Sequence, residues 1–284
     1  MTFFVLLAGG SFALTAASLV AMRGARVPEA ENYRGRRLRV ALGPAAGASV
    51  LVLLSVALVM SGSHGAFRFR TSVRAAQLLG AFLVLAAGWQ DDRRPGRGRG
   101  LAGHLREGSR GRLTPGLVKL VVIVAAAAAV VLSTGGPVWR VLLGIPVIAG
   151  TANAWNLLDV RPARSVKYAL VVALALGPFA ARHDPVIVPI GFGAALAALP
   201  FDLREHAMLG DTGANLLGFL LGVAVFETVP TWGLGVALAF VLMVHWLSET
   251  VTLSRVIQAV PALRWFDALG RLPGGLRAED SAPS

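Results

Sequence analysis

Four aspartates, one lysine and two asparagines carry most of the chemistry this sequence can offer. Asp91 and Asp92 are adjacent, at the end of the apolar stretch 75–90. Neighbouring carboxylates repel, so they favour a divalent cation, or one takes up a proton and serves as a base. The plainer reading is a solvated helix end whose aspartates face Arg93 and Arg94. Lys119 begins the next apolar stretch, where it either snorkels to the interface or reaches a phosphate beside Asp91 and Asp92. Asn153, Asn156 and Asp159 stand at i, i+3 and i+6, within roughly 120° of arc on a helix. Such a stripe lines a cavity or bonds neighbouring helices. Asp211 sits at the opening of another apolar block. It is either an N-cap or a metal ligand at a helix N-terminus that attracts phosphate. The stretch between Pro95 and Lys119 is rich in Arg and Gly, with Gly103-His104-Leu105-Arg106 and the run Arg110 to Lys119. Arginine clusters suit phosphates and anionic headgroups, although loop topology accounts for most of them.

The elements that hold these residues are hydrophobic. Of 284 residues 55% are apolar and only 15% are charged, where a soluble chain carries about 25% charged residues. The mean hydropathy is +0.67. The apolar residues fall in nine blocks, roughly 2–22, 42–61, 75–90, 117–133, 139–156, 167–181, 185–200, 213–229 and 231–248. A membrane span needs ~20 such residues, so the expected fold is an all-α transmembrane bundle of nine spans, or ten, in one domain over 1–272. The small, polar segment 273–284 reads as a disordered cytoplasmic tail. No cysteine is present, which removes disulfides, thiolate catalysis and cysteine metal sites.

The net charge of +12 is a topology signal here and not the footprint of a nucleic acid. Basic residues accumulate in cytoplasmic loops. If the first block runs outside to inside, 22 of the 27 basic residues fall on one side and five on the other. That asymmetry predicts an outside N-terminus and a cytoplasmic C-terminus. The first block runs straight into Arg23 with no basic segment before it, the pattern of an uncleaved span rather than a signal peptide. Asp91, Asp92, Lys119, Asn153, Asn156, Asp159 and Asp211 then meet at one depth on the inner face. Carboxylates, a lysine and arginines around a divalent cation are what phosphoryl chemistry on a diphosphate requires.

On these motifs the chain resembles the polyprenyl-phosphate hexose-1-phosphate transferases of the MraY and WecA type. Gly88-Trp89-Gln90-Asp91-Asp92 matches the family's G-x-x-D-D, and Lys119 follows it. Asn153-Ala154-Trp155-Asn156-Leu157-Leu158-Asp159 matches N-x-x-N-x-x-D, and Gly210-Asp211-Thr212-Gly213 matches G-D-x-G-S with Gly in the fourth place. Order, spacing and membrane side agree over roughly 30–255, and Asn32-Tyr33-Arg34-Gly35 lies where the family has its first cytoplasmic loop. The resemblance implies a multi-pass protein of the bacterial inner membrane. Such a protein moves a phosphosugar from a UDP-sugar, or another nucleotide donor, to polyprenyl phosphate in envelope polysaccharide (cell wall) synthesis. It implies Mg²⁺ as cofactor, Asp91, Asp92 and Asp159 as catalytic residues, and Asp92 and Asp211 as metal ligands. Lys119 would neutralise phosphate, with Asn153 and Asn156 at the nucleotide end. A second copy of the chain, as a homodimer, is a further candidate partner.

Two departures stand out. The family continues N-x-x-N-x-x-D with G-x-D-G, which holds uracil; here the chain reads Val160-Arg161-Pro162-Ala163-Arg164. Relaxed base recognition follows, with Arg161 or Arg164 contacting an anionic part of the donor. The family's His-rich inner loop is also missing, and His245-Trp246 near the end of block nine is followed only by a short basic segment. Two other function classes stay open: a catalytically idle relative that binds polyprenyl phosphate or a partner enzyme, and a transporter. A transporter predicts charges near mid-membrane, whereas here only Glu227 lies toward the far side.

Overall fold

Each of the nine apolar blocks is a helix in the computed structural model, which describes residues 2–62, 71–93 and 114–272. In chain order they are α1 (Thr2–Ala21), α2 (Leu42–Gly62), α3 (Thr71–Arg93), α4 (Pro115–Thr134), α5 (Val138–Leu158), α6 (Arg164–His183), α7 (Ile187–Leu203), α8 (Gly210–Thr228) and α9 (Thr231–Thr250). Seven of them are long and apolar enough to cross a membrane. The other two are α7, with 17 residues, and α8, which carries Asp211, Asn215 and Glu227. The expected all-α polytopic bundle is therefore what forms. No tenth span occurs among the described residues; α9 is followed by two short helices, α10 (Leu253–Ala259) and α11 (Pro261–Ala268). The Arg- and Gly-rich segment 94–113 and the tail 273–284 lie outside the described residues.

The central helix is α8, buried on nearly every face and packed against α2, α3, α5, α6 and α7. Lipid tails are as apolar as leucine, so helices associate by close packing and hydrogen bonds rather than by hydrophobic drive. Gly218 and Gly222 supply the closeness. A Cβ on Gly218 would lie 2.6 Å from the Thr151 carbonyl oxygen, and one on Gly222 2.8 Å from Ile148 Cα. The α5 and α8 backbones thus touch along a seam that begins beside Asp159 and Asp211. Hydrogen bonds pin the outer helices. Ser11 Oγ donates to the Ile190 carbonyl at 2.7 Å, and the Thr15 and Ser49 hydroxyls are 2.7 Å apart. Large apolar side chains such as Val59, Leu132 and Trp232 are exposed on the outside of the bundle, as a lipid-facing surface requires.

One element has no counterpart in an all-α expectation. Glu29–Glu31 (β1) and Arg37–Arg39 (β2) pair antiparallel, with Ala30 opposite Leu38. Asn32 closes the turn, its Oδ1 accepting from the backbone amides of Arg34 and Arg36 at 2.9 and 3.0 Å. The hairpin is sewn to the segment before α8 by two backbone bonds, Met208 N–H to Arg39 O and Leu42 N–H to Met208 O.

A buried polar clamp closes the opposite end of the bundle. Arg74 donates to both oxygens of Asp184 at 2.7 Å, and Gln77 bridges Asp184 (3.1 Å) to Glu227 (2.7 Å). Burial pushes the Asp184 carboxyl up, but the Arg74 guanidinium more than offsets this and holds it below the usual range. The clamp ties α3, the α6–α7 connection and α8 together, away from the aspartates.

Candidate functional site

The end of α3 docks on the start of α8 because Gly88 leaves room for it. A Cβ there would meet Thr212 Cα at 2.6 Å and the Asp211 carbonyl at 2.7 Å. Asp92 then faces the first amides of α8. Its Oδ1 accepts from Asp211 N–H at 2.8 Å, and its Oδ2 from Thr212 N–H at 2.9 Å and from the Thr212 hydroxyl. Gly210, at φ +67°, makes the tight entry into this turn. Any side chain there would collide with the Asp92 carboxylate, 2.8 Å away. Asp92 is thus a cap supplied from another helix, its negative charge set against the positive end of α8. Both oxygens of Asp92, one of the two expected metal ligands, are engaged by α8. The same bonds show why Asp211 is not its own helix's cap.

Asp211 is instead paired with Lys119. Thr114 caps α4, accepting from Leu117 N–H at 3.2 Å with Pro115 next in line. Lys119 thereby falls in the second turn, facing α3 and α8. Its ammonium donates to Asp91 Oδ2 at 2.6 Å and to Asp211 Oδ2. The three side chains are 12%, 18% and 29% exposed, respectively, so each is partly shielded yet reachable. Beside them, Asn215 Nδ2 donates to the Asp211 carbonyl at 2.7 Å. Its buried Oδ1 has no hydrogen-bond partner among the described residues. A narrow groove of about 160 Å³ between α3 and α4 ends at Asp91 and Lys119, with apolar walls that include Leu83, Ala87, Val118 and Val122.

A second, larger cavity of about 340 Å³ lies on the other side of Asp159, lined by Asn32, Tyr33, Arg161, Asp202 and Glu205 among others. Asp159 caps the C-terminus of α5 and accepts from Ser165 Oγ at 2.7 Å. Burial pushes its carboxyl well above the usual range, and the charges of Asp202, Asp211 and Asp92 add to this. Arg161 lies over the Tyr33 ring, 5.3 Å from its centroid. Glu205 holds the hairpin turn through Asn32 Nδ2 at 2.9 Å and Arg34 at 3.1 Å.

The remaining expected residues divide. Asn156 is half-buried at the same end of α5. Asn153 turns to α9, its Nδ2 2.9 Å from His245 Nε2, while His245 Nδ1 is 2.8 Å from the Val241 carbonyl. Those partners fit a neutral imidazole protonated on Nδ1. Arg164, expected at the donor, is engaged within the protein. It is fully buried and donates to both oxygens of Asp267 at 2.8 and 3.0 Å, with Ser254 Oγ at 2.9 Å. Sequence reasoning missed Asp202, whose buried Oδ2 lacks a hydrogen-bond partner among the described residues. Its signal was the one that had drawn attention to Asp92: a carboxylate at the end of an apolar block.

Among the described residues no three His, Asp or Glu side chains cluster closely enough to hold a metal ion unaided. Magnesium rarely asks for that, being held by one or two carboxylates with substrate phosphates completing the shell. Asp91 and Asp211, converging on one cationic point, fit such a site.

No curated protein matches the chain closely. The family profile described as Glycosyl transferase family 4 matches residues 74–229, from the buried arginine of α3 through the end of α8, and so takes in Asp91, Asp92, Lys119, Asp159 and Asp211. The match covers more than half of the chain, and this multi-pass helical membrane protein belongs to glycosyl transferase family 4.

Proposed function

We propose that the protein transfers a phosphosugar from a nucleotide donor, a UDP-sugar or another nucleoside diphosphate sugar, to a polyprenyl phosphate in bacterial envelope synthesis. The observation that carries the reading is the Lys119 ammonium held between Asp91 and Asp211 at the end of an apolar groove. A long isoprenoid suits the groove, which places its phosphate at Lys119. A nucleotide suits the cavity beyond Asp159. An oxygen of the lipid phosphate attacks the phosphorus nearest the sugar. The bridging P–O bond breaks, the nucleoside monophosphate leaves, and a polyprenyl diphosphate sugar forms.

In this reading Lys119 orients the lipid phosphate and balances its charge. Asp91 is the carboxylate placed to take its proton. Asp92 fixes the N-terminus of α8, and through it Asp211. A bound Mg²⁺ would neutralise charge on the donor diphosphate, and Asp211 with Asp91 would hold it. Arg161 is the guanidinium on the cavity wall able to pair with an anionic part of the donor. The 22-to-5 division of basic residues supports placing this face in the cytoplasm, where nucleotide sugars are made.

The test is isotope exchange between labelled UMP and a series of UDP-sugars, using purified protein, undecaprenyl phosphate and Mg²⁺. Lipid-dependent appearance of label in one UDP-sugar supports transfer. Lipid binding with no exchange on any donor favours a catalytically idle relative.

A further inference from the structure

The loop after Asp159 and the segment after α9 are bonded to each other. Asp267, on α11, is completely buried and collects Arg164 from the start of α6 and Arg271 from beyond α11. Lys167, one turn into α6, donates to the last carbonyls of α11, at Phe266 (2.8 Å), Asp267 (2.6 Å) and Leu269 (3.1 Å). A cation at that position satisfies the orphan carbonyls of a helix end and complements its dipole. The Lys167 ammonium also lies over the Phe266 ring, and Tyr168 meets the same ring edge-on at 5.4 Å.

From this knot, contacts run to both walls of the 340 Å³ cavity. Arg271 Nε donates to the Pro162 carbonyl at 3.2 Å. Arg164 anchors the far end of the same loop, next to Ser165, which holds Asp159. Ala163 between them sits at φ +55°, a left-handed conformation unfavourable for alanine. On the opposite wall Arg34, beside Tyr33, donates to the Leu272 carbonyl at 2.8 Å. A loop that contains a strained residue and no glycine between Asp159 and Ser165 keeps such a shape only when its surroundings over-determine it.

We infer that residues 253–272 form a strap that assembles the donor cavity, with Asp267 and Arg271 as positioning residues for the nucleotide sugar. This rests on the proposed transfer reaction. Neither residue touches the substrate. Each acts through the Asp159–Arg164 loop, and Arg34 brings the hairpin turn into the same assembly. The lipid-phosphate cluster at Lys119 is built from α3, α4 and α8 and does not depend on the strap.

The experiment uses the full-length protein in lipid nanodiscs. Arg271→Ala is the principal variant, because it cuts the tether to Pro162 and leaves the Arg164–Asp267 pair to hold the strap. Arg271→Lys retains charge near Asp267 but cannot reach Asp267 and Pro162 together, and Asp267→Asn tests the knot itself. Two quantities are measured: the affinity for undecaprenyl phosphate, and the affinity for UMP, CMP, GMP and AMP with Mg²⁺. Hydrogen exchange is followed over 159–163 and 32–36. Arg271→Ala is expected to weaken the best-bound nucleotide about tenfold, the effect of one lost hydrogen bond, and to speed exchange in both segments. Lipid affinity should stay at the wild-type value and the melting temperature should fall by less than in Arg164→Ala, with Arg271→Lys in between. Unchanged nucleotide affinity in Arg271→Ala overturns the inference, as does a parallel loss of lipid and nucleotide binding with a lower melting temperature. Wild-type protein that binds the lipid but no nucleotide instead removes the transfer reading, and the strap's donor role with it.

Discussion

Asp91 and Asp92 are neighbours in sequence, and the structure gives them different work, so Asp→Asn at each should separate them. At Asp92 the amide keeps one acceptor oxygen and replaces the other with an NH₂ donor. That donor would face either the Asp211 amide at 2.8 Å or the Thr212 amide at 2.9 Å and the Thr212 hydroxyl. At least one buried N–H loses its partner, and the favourable charge at the α8 N-terminus disappears. An unsatisfied buried donor costs about 1–3 kcal/mol and the helix-end charge adds roughly 0.3–1 kcal/mol, so about 2–3 kcal/mol of stability should be lost. For a chain of this size that is a melting-temperature drop of roughly 4–12 °C. At Asp91 the same change removes one of two carboxylates on Lys119. Lys119 keeps Asp211, so stability should hardly move, while transfer falls ~10²–10⁴-fold. Thermal melts in detergent and a transfer assay on both variants decide the matter. Asp92→Asn with wild-type stability and no turnover, beside Asp91→Asn that melts early, would show that the assignments are reversed.

Other outcomes follow from the same contacts. Arg164→Ala should destabilise the protein by about 3–5 kcal/mol, because it strips a buried carboxylate of its bidentate partner. Arg161→Ala should leave the melting temperature unchanged and raise the donor KM more than it lowers kcat. Asp211→Asn should shrink the thermal stabilisation given by Mg²⁺ in the presence of a nucleotide diphosphate; equal stabilisation of variant and wild type would remove Asp211 from the metal site. The Asp159 carboxyl is raised in the fold by burial, so the folded state holds its proton more tightly than the unfolded chain does. Its contribution is therefore fully present below the unfolded value near pH 4 and is lost as pH rises through the folded value. Asp159→Asn should flatten that decline in a pH series of melts.

Much of the fold was legible because membrane spans are written in hydropathy, and every block from 2–22 to 231–248 became a helix. The contact among Asp91, Lys119 and Asp211 was foreshadowed by the basic-residue asymmetry, which set three block ends at one depth. The difference between Asp91 and Asp92 was not legible. Successive helical residues point ~100° apart, so identical side chains reached α4 in one case and α8 in the other. Arg164 was read as a substrate ligand because its partner, Asp267, lies 103 residues away with no periodic pattern to announce it. The hairpin escaped notice because its strands are three residues each. Asp202 was overlooked because the apolar block was taken to end at 200, while α7 continues through Leu203.

The central claim is that a phosphosugar, not a bare sugar, moves to the lipid at the Lys119 site. Donors labelled with ³²P at the phosphate next to the sugar distinguish the two. In proteoliposomes containing undecaprenyl phosphate and Mg²⁺, a panel of such nucleotide sugars should yield one donor whose label enters the organic-extractable lipid. The released nucleotide should be an unlabelled monophosphate, and Lys119→Met should abolish the transfer. Label retained in a water-soluble nucleoside diphosphate while sugar enters the lipid would contradict the account, as would full activity in Lys119→Met.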